Sequence, residues 1–135
     1  MKRRLILAGL VALAGGGTAC AFPGQIPTFE RVTASGHTLK ITSVSAVDPT
    51  CQSLGPVTIG LIDVPHDGRI EVQQGRDFPN YSTLNTRSRC NTRKVPATLV
   101  LYTPTAGYIG EDDFTIEIVG PQGQVGRARY HISVR

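Results

Sequence analysis

Tyr102-Thr-Pro-Thr-Ala-Gly-Tyr-Ile-Gly-Glu-Asp-Asp-Phe114, continued by Thr-Ile-Glu-Ile-Val119, is the stretch of sequence that decides the fold. Pro104 lacks the N–H that a strand ladder needs, so it ends one strand, and the two glycines after it allow a tight turn. Phe114 opens a second strand, in which apolar and polar residues alternate. We therefore predict two strands joined by a turn, with the Asp112 carboxylate accepting backbone N–H groups to fix the turn to the second strand.

Short β-prone runs separated by turn residues make up the chain from Phe29 onward, and no window of ten or more residues has a helical period. The run 97–102 is nearly all apolar, which predicts a central strand. Six or seven such runs predict an all-β fold, an antiparallel β-sandwich of about seven strands. The residues expected to face its core are Leu39, Ile41, Val57, Ile59, Leu61, Ile70, Val72, Phe114, Ile116, Ile118, Ala128, Tyr130, Ile132 and Val134.

Three features predict how the strands are connected or distorted. Asp67-Gly68 is a turn signal between a strand that ends at Val64 and one that begins at Arg69, and we expect these two strands to form a hairpin. The segment 120–123, Gly-Pro-Gln-Gly, predicts the turn between the last two strands. A slip in the alternation at Ser43-Val44 predicts a β-bulge there.

Two segments carry a family resemblance, Pro65-His-Asp-Gly-Arg-Ile-Glu-Val72 and the stretch 102–118. They contain a Pro-x-x-Gly turn before a strand, then Tyr-x-Pro followed at fixed spacing by Gly110, Asp112 and Phe114. This pattern resembles bacterial Ig-like and cadherin-like modules, over about residues 57–134. The resemblance implies an Ig-like sandwich outside the cytoplasm, here as a single module. It implies no activity, because the matching residues shape turns and strand starts.

The first 21 residues have the pattern of a secretory signal peptide. Lys2, Arg3 and Arg4 precede an apolar run too short to span a bilayer, and Ala19-Cys20-Ala21 is a small-residue cleavage pattern. We predict a signal peptide at 1–21, a linker at 22–28 and the sandwich domain at 29–135, located in the periplasm or secreted, with no transmembrane span. The alternative is a lipid anchor at Cys20.

The charge of the predicted mature chain is close to neutral. The whole chain has a net charge of +4, but three of its 14 Lys and Arg residues lie in the signal, which leaves 11 against 10 Asp and Glu. A net charge of about +1 gives no support to nucleic-acid binding.

Two cysteines, Cys51 and Cys90, remain after the signal. An even pair in an oxidising compartment predicts a disulfide, Cys51–Cys90. The bond would pin the segment 76–94, which is the longest stretch without strand periodicity and is polar and basic. Long loops in compact domains are often functional, so this loop is the candidate binding site.

The loop provides the residues of a possible anion site. Four basic side chains cluster beside Cys90 and could contact an anionic partner, while Tyr81 could stack on a sugar or pack beneath the loop. A second basic row lies on the outer face of the last strand, and in both places solvated charges are the alternative. The four loop residues are Arg87, Arg89, Arg93 and Lys94, and the second row is Arg127, Arg129, His131 and Arg135.

The acidic run Glu111, Asp112, Asp113 is the only candidate for a calcium site. A single module has no junction at which such carboxylates would converge, and no D-x-D-x-(D/N)-G loop is present. We therefore expect Asp112 to cap the turn, its neighbours to be solvated, and no metal or other cofactor to be bound.

No nucleophile elbow, metal-ligand spacing or carboxylate pair points to an enzyme. The sequence instead favours an exported, non-enzymatic binding or adhesion module of the cell envelope, whose partner is an anionic glycan or another envelope protein. The alternative is a structural or assembly protein that docks through its sheet edges, with or without a lipid anchor.

Overall fold

The computed structural model describes residues 24–135, so the predicted signal peptide at 1–21 and the candidate anchor Cys20 lie outside the described residues. Within this range, seven strands and one 3₁₀ helix follow one another along the chain. Their bounds are β1 (Thr28–Thr33), β2 (Leu39–Val44), β3 (Thr58–Asp63), β4 (Gly68–Asp77), the 3₁₀ helix η1 (Thr86–Thr92), β5 (Val95–Pro104), β6 (Gly110–Val119) and β7 (Val125–Val134). In this part of the chain no helix is long and apolar enough to cross a bilayer.

The strands form two facing sheets, one with the order β1-β7-β6-β3 and one with the order β2-β5-β4. Strand β1 runs parallel to β7, and every other pairing is antiparallel. The neighbour orders β2-β5-β4 and β3-β6-β7 are those of the two sheets of a constant-type immunoglobulin sandwich. The predicted fold class is confirmed, and the apolar run 97–102 lies in β5, the central strand of its sheet.

The main core, which we call the aromatic core, lies between the two sheets and is built around a row of stacked rings. The ring centroids of Tyr102 and Phe114 lie 6.1 Å apart, and those of Phe114 and Tyr130 lie 5.3 Å apart. Each fully buried ring of this size contributes about 1.5–3 kcal/mol through removal from water. The other buried members are Ile41, Val100, Ile116, Ala128, Ile132 and Val134, and every predicted core position of β7 is confirmed.

A second buried cluster, which we call the disulfide cluster, lies at one end of the sandwich. It consists of Val47, Cys51, Cys90 and Val95, with Tyr81 packed against it. Cys51 and Cys90 form the predicted disulfide, with an S–S distance of 2.06 Å, across a sequence separation of 39 residues. The bond joins the β2–β3 loop to helix η1, so it fastens two irregular segments to each other.

The hairpin predicted at Asp67-Gly68 is wrong. Strand β3 pairs with β6 and strand β4 pairs with β5, so the turn between them crosses from one sheet to the other. The Asp112 carboxylate fixes this crossing by accepting the backbone N–H groups of His66 at 2.9 Å and Asp67 at 3.1 Å. Asp112 therefore ties the crossing turn to the start of β6.

The buried hydroxyl of Tyr102 donates to the same carboxylate, over 2.7 Å. Burial and the hydrogen bond to Asp112 together raise the pKa of Tyr102 well above its ordinary value. A Cβ at position 68 would collide with the Tyr102 ring, so the glycine of the crossing turn is what lets that ring lie against the backbone.

The edges of the sheets account for the other differences from prediction. The register shift in β2 falls between Lys40 and Thr42, earlier than the predicted bulge at Ser43-Val44. Leu61 and Val72, both expected in the core, are 42% and 41% exposed. Each lies on an edge strand, β3 or β4, which has a neighbour on one side only.

Candidate functional site

A groove of about 500 Å³ opens at the end of the sandwich that holds the disulfide cluster; we call it the loop-end groove. Three segments enclose it: the β2–β3 loop, the segment that leads into η1, and the turn between β6 and β7. Its walls are mostly apolar, and Leu54, Pro121 and Val125 are among them. Leu54 is 37% exposed and Val125 is 64% exposed, so the apolar surface faces solvent.

The β2–β3 loop forms one wall and is held by its own polar contacts. Asp48 Oδ1 accepts hydrogen bonds from the Thr50 N–H at 2.8 Å, the Thr50 hydroxyl at 2.6 Å and the Gln52 N–H at 3.1 Å. The Thr50 hydroxyl is the main reason why the pKa of Asp48 lies below its ordinary value. Cys51 has a left-handed backbone with φ of 68°, which is unfavourable for a residue with a side chain. The loop is thus fixed at both its turn and its disulfide.

Arg87 and Tyr81, two of the predicted site residues, line the loop-end groove. The Arg87 Nε–H donates to the Val47 carbonyl over 2.7 Å, which positions the guanidinium against the β2–β3 loop. The main chain of Tyr81 is fixed by the Asn91 side chain, which accepts from the Tyr81 N–H and donates to the Tyr81 carbonyl, each over 2.9 Å. Both side chains are half-buried.

The other predicted anion contacts lie outside the groove. Arg89 donates through Nε to the Pro49 carbonyl over 2.6 Å and also through Nη2 to the same oxygen. The Lys94 ammonium lies 5.7 Å from the centre of the Phe78 ring, and Arg93 is exposed. Of the five predicted site residues, the structure therefore places Arg87 and Tyr81 at the groove and the other three elsewhere. One of those three, Arg89, holds the β2–β3 loop in place.

Two of the four residues of the second basic row, on β7, are paired with acidic residues of β6. Arg127 forms an ion pair with Glu117 at 3.0 Å. His131 lies between two carboxylates, with Nε2 2.7 Å from Glu111 and Nδ1 2.8 Å from Asp113. An ionised carboxylate only accepts hydrogen bonds, so two carboxylates at the two ring nitrogens favour the protonated imidazole, in which both nitrogens can donate. The hydrogen bond to Asp113 is the main reason why the pKa of His131 is raised above its ordinary value.

The acidic run at 111–113 does not converge on one point. Asp112 faces inward and is 3% exposed, while its neighbours lie on the outer face beside His131. Within residues 24–135, no three His, Cys, Asp or Glu side chains form a group that could hold a metal ion. The Asp112 oxygens are instead engaged by the crossing turn and by Tyr102.

Sequence reasoning missed the apolar walls of the groove. Leu54 precedes the turn residues Gly55-Pro56, and Val125 follows the turn at 120–123. Neither is among the residues predicted to face the core. The sequence signals for these walls are a leucine beside Gly55-Pro56 and a valine beside Gly126, that is, apolar residues next to turn residues. Neither signal shows that the two segments meet in the fold.

Comparison with known proteins identifies no family for the chain. No family model matches it, and no curated protein matches it. Among solved structures, a solution structure of amebosin is similar at 12% sequence identity and a TM-score of 0.46, over 83% of this chain and 100% of that one. A likeness at this level supports no inference about family or function.

Proposed function

We propose that the chain is an exported, non-enzymatic binding module whose ligand lies in the loop-end groove. The observation that carries the proposal is the composition of that groove: Arg87 is the only charged residue among those that line it, and the remaining walls are mainly aliphatic. A concave apolar surface with a few fixed polar groups is typical of a binding site.

The groove favours a protein segment that presents an aliphatic side chain next to a carboxylate. The aliphatic side chain would pack against Leu54, Pro121 and Val125, and the carboxylate would accept from the Arg87 guanidinium. An acidic polysaccharide would need several cations along its length. The nearest further arginine in the sequence, Arg89, is already bonded to the Pro49 carbonyl.

Two observations support the exported setting. The disulfide is buried, with Cys90 fully inaccessible, and such bonds persist in oxidising compartments. The sequence pattern at 1–21 is that of a signal peptide, and the resemblance to bacterial Ig-like modules implies the same compartment.

The test is a titration of the ¹⁵N-labelled, oxidised protein with two matched hexapeptide pools. One pool carries an aliphatic residue beside Asp or Glu, and the other carries Asn or Gln in place of each acid. We expect the acidic pool to shift the amide signals of the groove segments around 45–57, 81–87 and 120–126. Arg87→Gln should weaken binding by about 10- to 100-fold, the usual effect of losing a hydrogen bond to a charged group.

The controls separate the groove from the rest of the basic loop. Val125→Asp places a like charge on an exposed groove wall and should also abolish binding of the acidic pool, while Arg93→Gln, outside the groove, should leave it unchanged. Equal binding of the two pools would overturn the role of Arg87. Hyaluronan serves as an anionic-glycan probe in the same titration. If it shifts only the amide signals of Arg93 and Lys94, and if added salt removes these shifts, the chain is instead an anionic-glycan module.

A further inference from the structure

Among the four sheet edges of the described residues, β2 and β3 carry one charged residue each, and only in β3 does that charge lie at the end of the strand. Strands β1, β2 and β4 have charged residues within their span, which is a common protection against unwanted strand pairing. Strand β3, Thr-Ile-Gly-Leu-Ile-Asp, has a single charge, Asp63, and it is the last residue. An edge with no charge along its interior offers unpaired N–H and C=O groups to another extended chain.

The same edge exposes apolar side chains. Leu61 is 42% exposed, Ile62 is 45% exposed and Val64, just past the strand, is 62% exposed. Leu61 pairs with Ile116 and Asp63 pairs with Thr115, so Ile62 is the extra residue of a bulge. Ile62 therefore adds an apolar contact beside the open edge.

A second groove, of about 560 Å³, lies beside the end of β3 on the outer face of the sheet. The residues that line it include Ile62, Asp63, Val64, Thr115 and Arg129, together with His66 and Asp113. The Thr115 hydroxyl is buried and has no hydrogen-bond partner among residues 24–135. The side chains opposite it in the ladder, Asp63 and Arg129, are both exposed, and Arg129 forms no ion pair with a described residue.

We propose that β3 binds an extended segment of another protein as an added strand, at an interface separate from the loop-end groove. The backbone of that segment would pair with the open edge of β3, and one of its side chains would enter the groove on the outer face. Strand addition gains affinity from main-chain hydrogen bonds and specificity from side-chain pockets, which is the combination present here.

The groove defines the chemistry of the segment. It brings together a carboxylate, a guanidinium and an unpaired hydroxyl, so the side chain that enters it both donates and accepts hydrogen bonds. Ser, Thr and Asn satisfy this requirement. The residues that flank this side chain are aliphatic, because they would lie against Leu61 and Val64.

A second copy of the chain fits the edge less well. Pro56 and Pro65 flank β3, so two copies could pair only the six residues of each strand. We expect such a contact to be small beside the roughly 1,200 Å² of a stable interface between folded proteins. A mobile segment can pair with the edge and also place a side chain in the groove.

The experiment uses a displayed library of random 12-residue peptides, selected on the oxidised protein and then measured against variants by fluorescence polarisation. Gly60→Lys places a charge on the edge. A Cβ at position 60 would meet no atom within 4 Å, so the variant should fold. We expect Gly60→Lys and Ile62→Lys to weaken the selected peptides by at least ten-fold. Val72→Lys, the same change at a residue of similar exposure on the β4 edge, should have no effect.

Two further measurements identify the binding mode. Bound peptide should slow hydrogen exchange at the β3 amides that point away from β6, which contact through side chains alone would not do. Thr115→Val should abolish the preference for Ser, Thr or Asn at one peptide position while the protein remains folded.

Three outcomes would overturn the proposal. The first is a library that yields no peptide with higher affinity for the wild type than for Gly60→Lys. The second is binding without protection of the β3 amides. The third is a concentration-dependent dimer that Gly60→Lys dissociates, which would assign the edge to a second copy.

Discussion

The aromatic core and the disulfide cluster are both buried, but different interactions hold them together. The aromatic core contains long strands and stacked rings, and its members are removed from water by two sheets. The disulfide cluster has four buried residues, one covalent bond and a set of bonds from side chains to loop carbonyls. The fold therefore depends on the first region, and the shape of the loop-end groove depends on the second.

The difference indicates that local contacts, rather than the packing of the two sheets, set the shape of the proposed binding surface. Arg87 and Arg89 donate hydrogen bonds to the carbonyls of Val47 and Pro49, respectively. These bonds fix the β2–β3 loop relative to η1. Such bonds give about 1.5–3 kcal/mol each when one partner is charged, less when exposed to water. The loop end is shaped by a few localised contacts, whereas the core is stabilised by the sum of many.

The largest effect is expected from Phe114→Ala in the aromatic core. Phe114 is fully buried and stacks on two rings, so its truncation leaves a cavity that the strands cannot close. We expect the free energy of unfolding to fall by about 3–5 kcal/mol. Urea denaturation measures it, with Leu84→Ala, at a residue 96% exposed, as the control that changes little. A loss below 1 kcal/mol would contradict the assignment of the core.

An intermediate effect is expected from replacing both cysteines, Cys51→Ala with Cys90→Ala. The bond closes a loop across 39 positions, so its removal should lower the free energy of unfolding by about 2–4 kcal/mol through the entropy of the unfolded chain. We expect the near-ultraviolet signal of Tyr102 and Tyr130 to persist while peptide binding in the loop-end groove is lost. Loss of both together would show that the two regions are one cooperative unit.

The smallest effect is expected on the outer face of β6 and β7, where His131 lies between Glu111 and Asp113, with Glu30 nearby. The pKa of His131 is raised in the folded state, so its stabilising contribution is complete below about pH 6.5 and is lost as the pH rises through the folded-state pKa. Exposed pairs contribute at most about 1 kcal/mol.

The comparison protein for this prediction is His131→Gln. The difference in unfolding midpoint between wild type and His131→Gln should shrink from pH 5.5 to pH 9, and an NMR titration should place the His131 midpoint above 6.5. A difference that grows with pH would show that the imidazole is neutral between its two carboxylates.

The sequence predicts those parts of the fold that are set by neighbours along the chain. Alternation in β7 placed Tyr130 and Ile132 in the core, and the cysteine count predicted the disulfide. The turn at Asp67-Gly68 was misassigned because its local chemistry is the same whether the next strand pairs with the last one or crosses to the other sheet. The carboxylate that holds the crossing, Asp112, is 45 residues further along.

The candidate site shows the same limit. From the sequence, the basic loop beside Cys90 offers four cations for binding a ligand. In the structure, Arg87 and Arg89 instead donate to carbonyls that lie 40 residues earlier in the chain. The outer row on β7 could not be distinguished from an anion-binding face until the register placed Glu117 opposite Arg127. Apolar walls that come from Leu54 and Val125 meet only after both sheets have formed.

The parallel pairing of β1 with β7 has a mechanical consequence. The two strands are aligned from Thr28 opposite Arg129 to Thr33 opposite Val134. Tension between the start of β1 and the end of β7 would pull the strands past each other, so that all the hydrogen bonds between them carry the load at the same time. A hairpin pulled at its open end instead gives way one bond after another. We therefore expect the pairing of β1 with β7 to resist a stretching force better than a hairpin with the same number of hydrogen bonds.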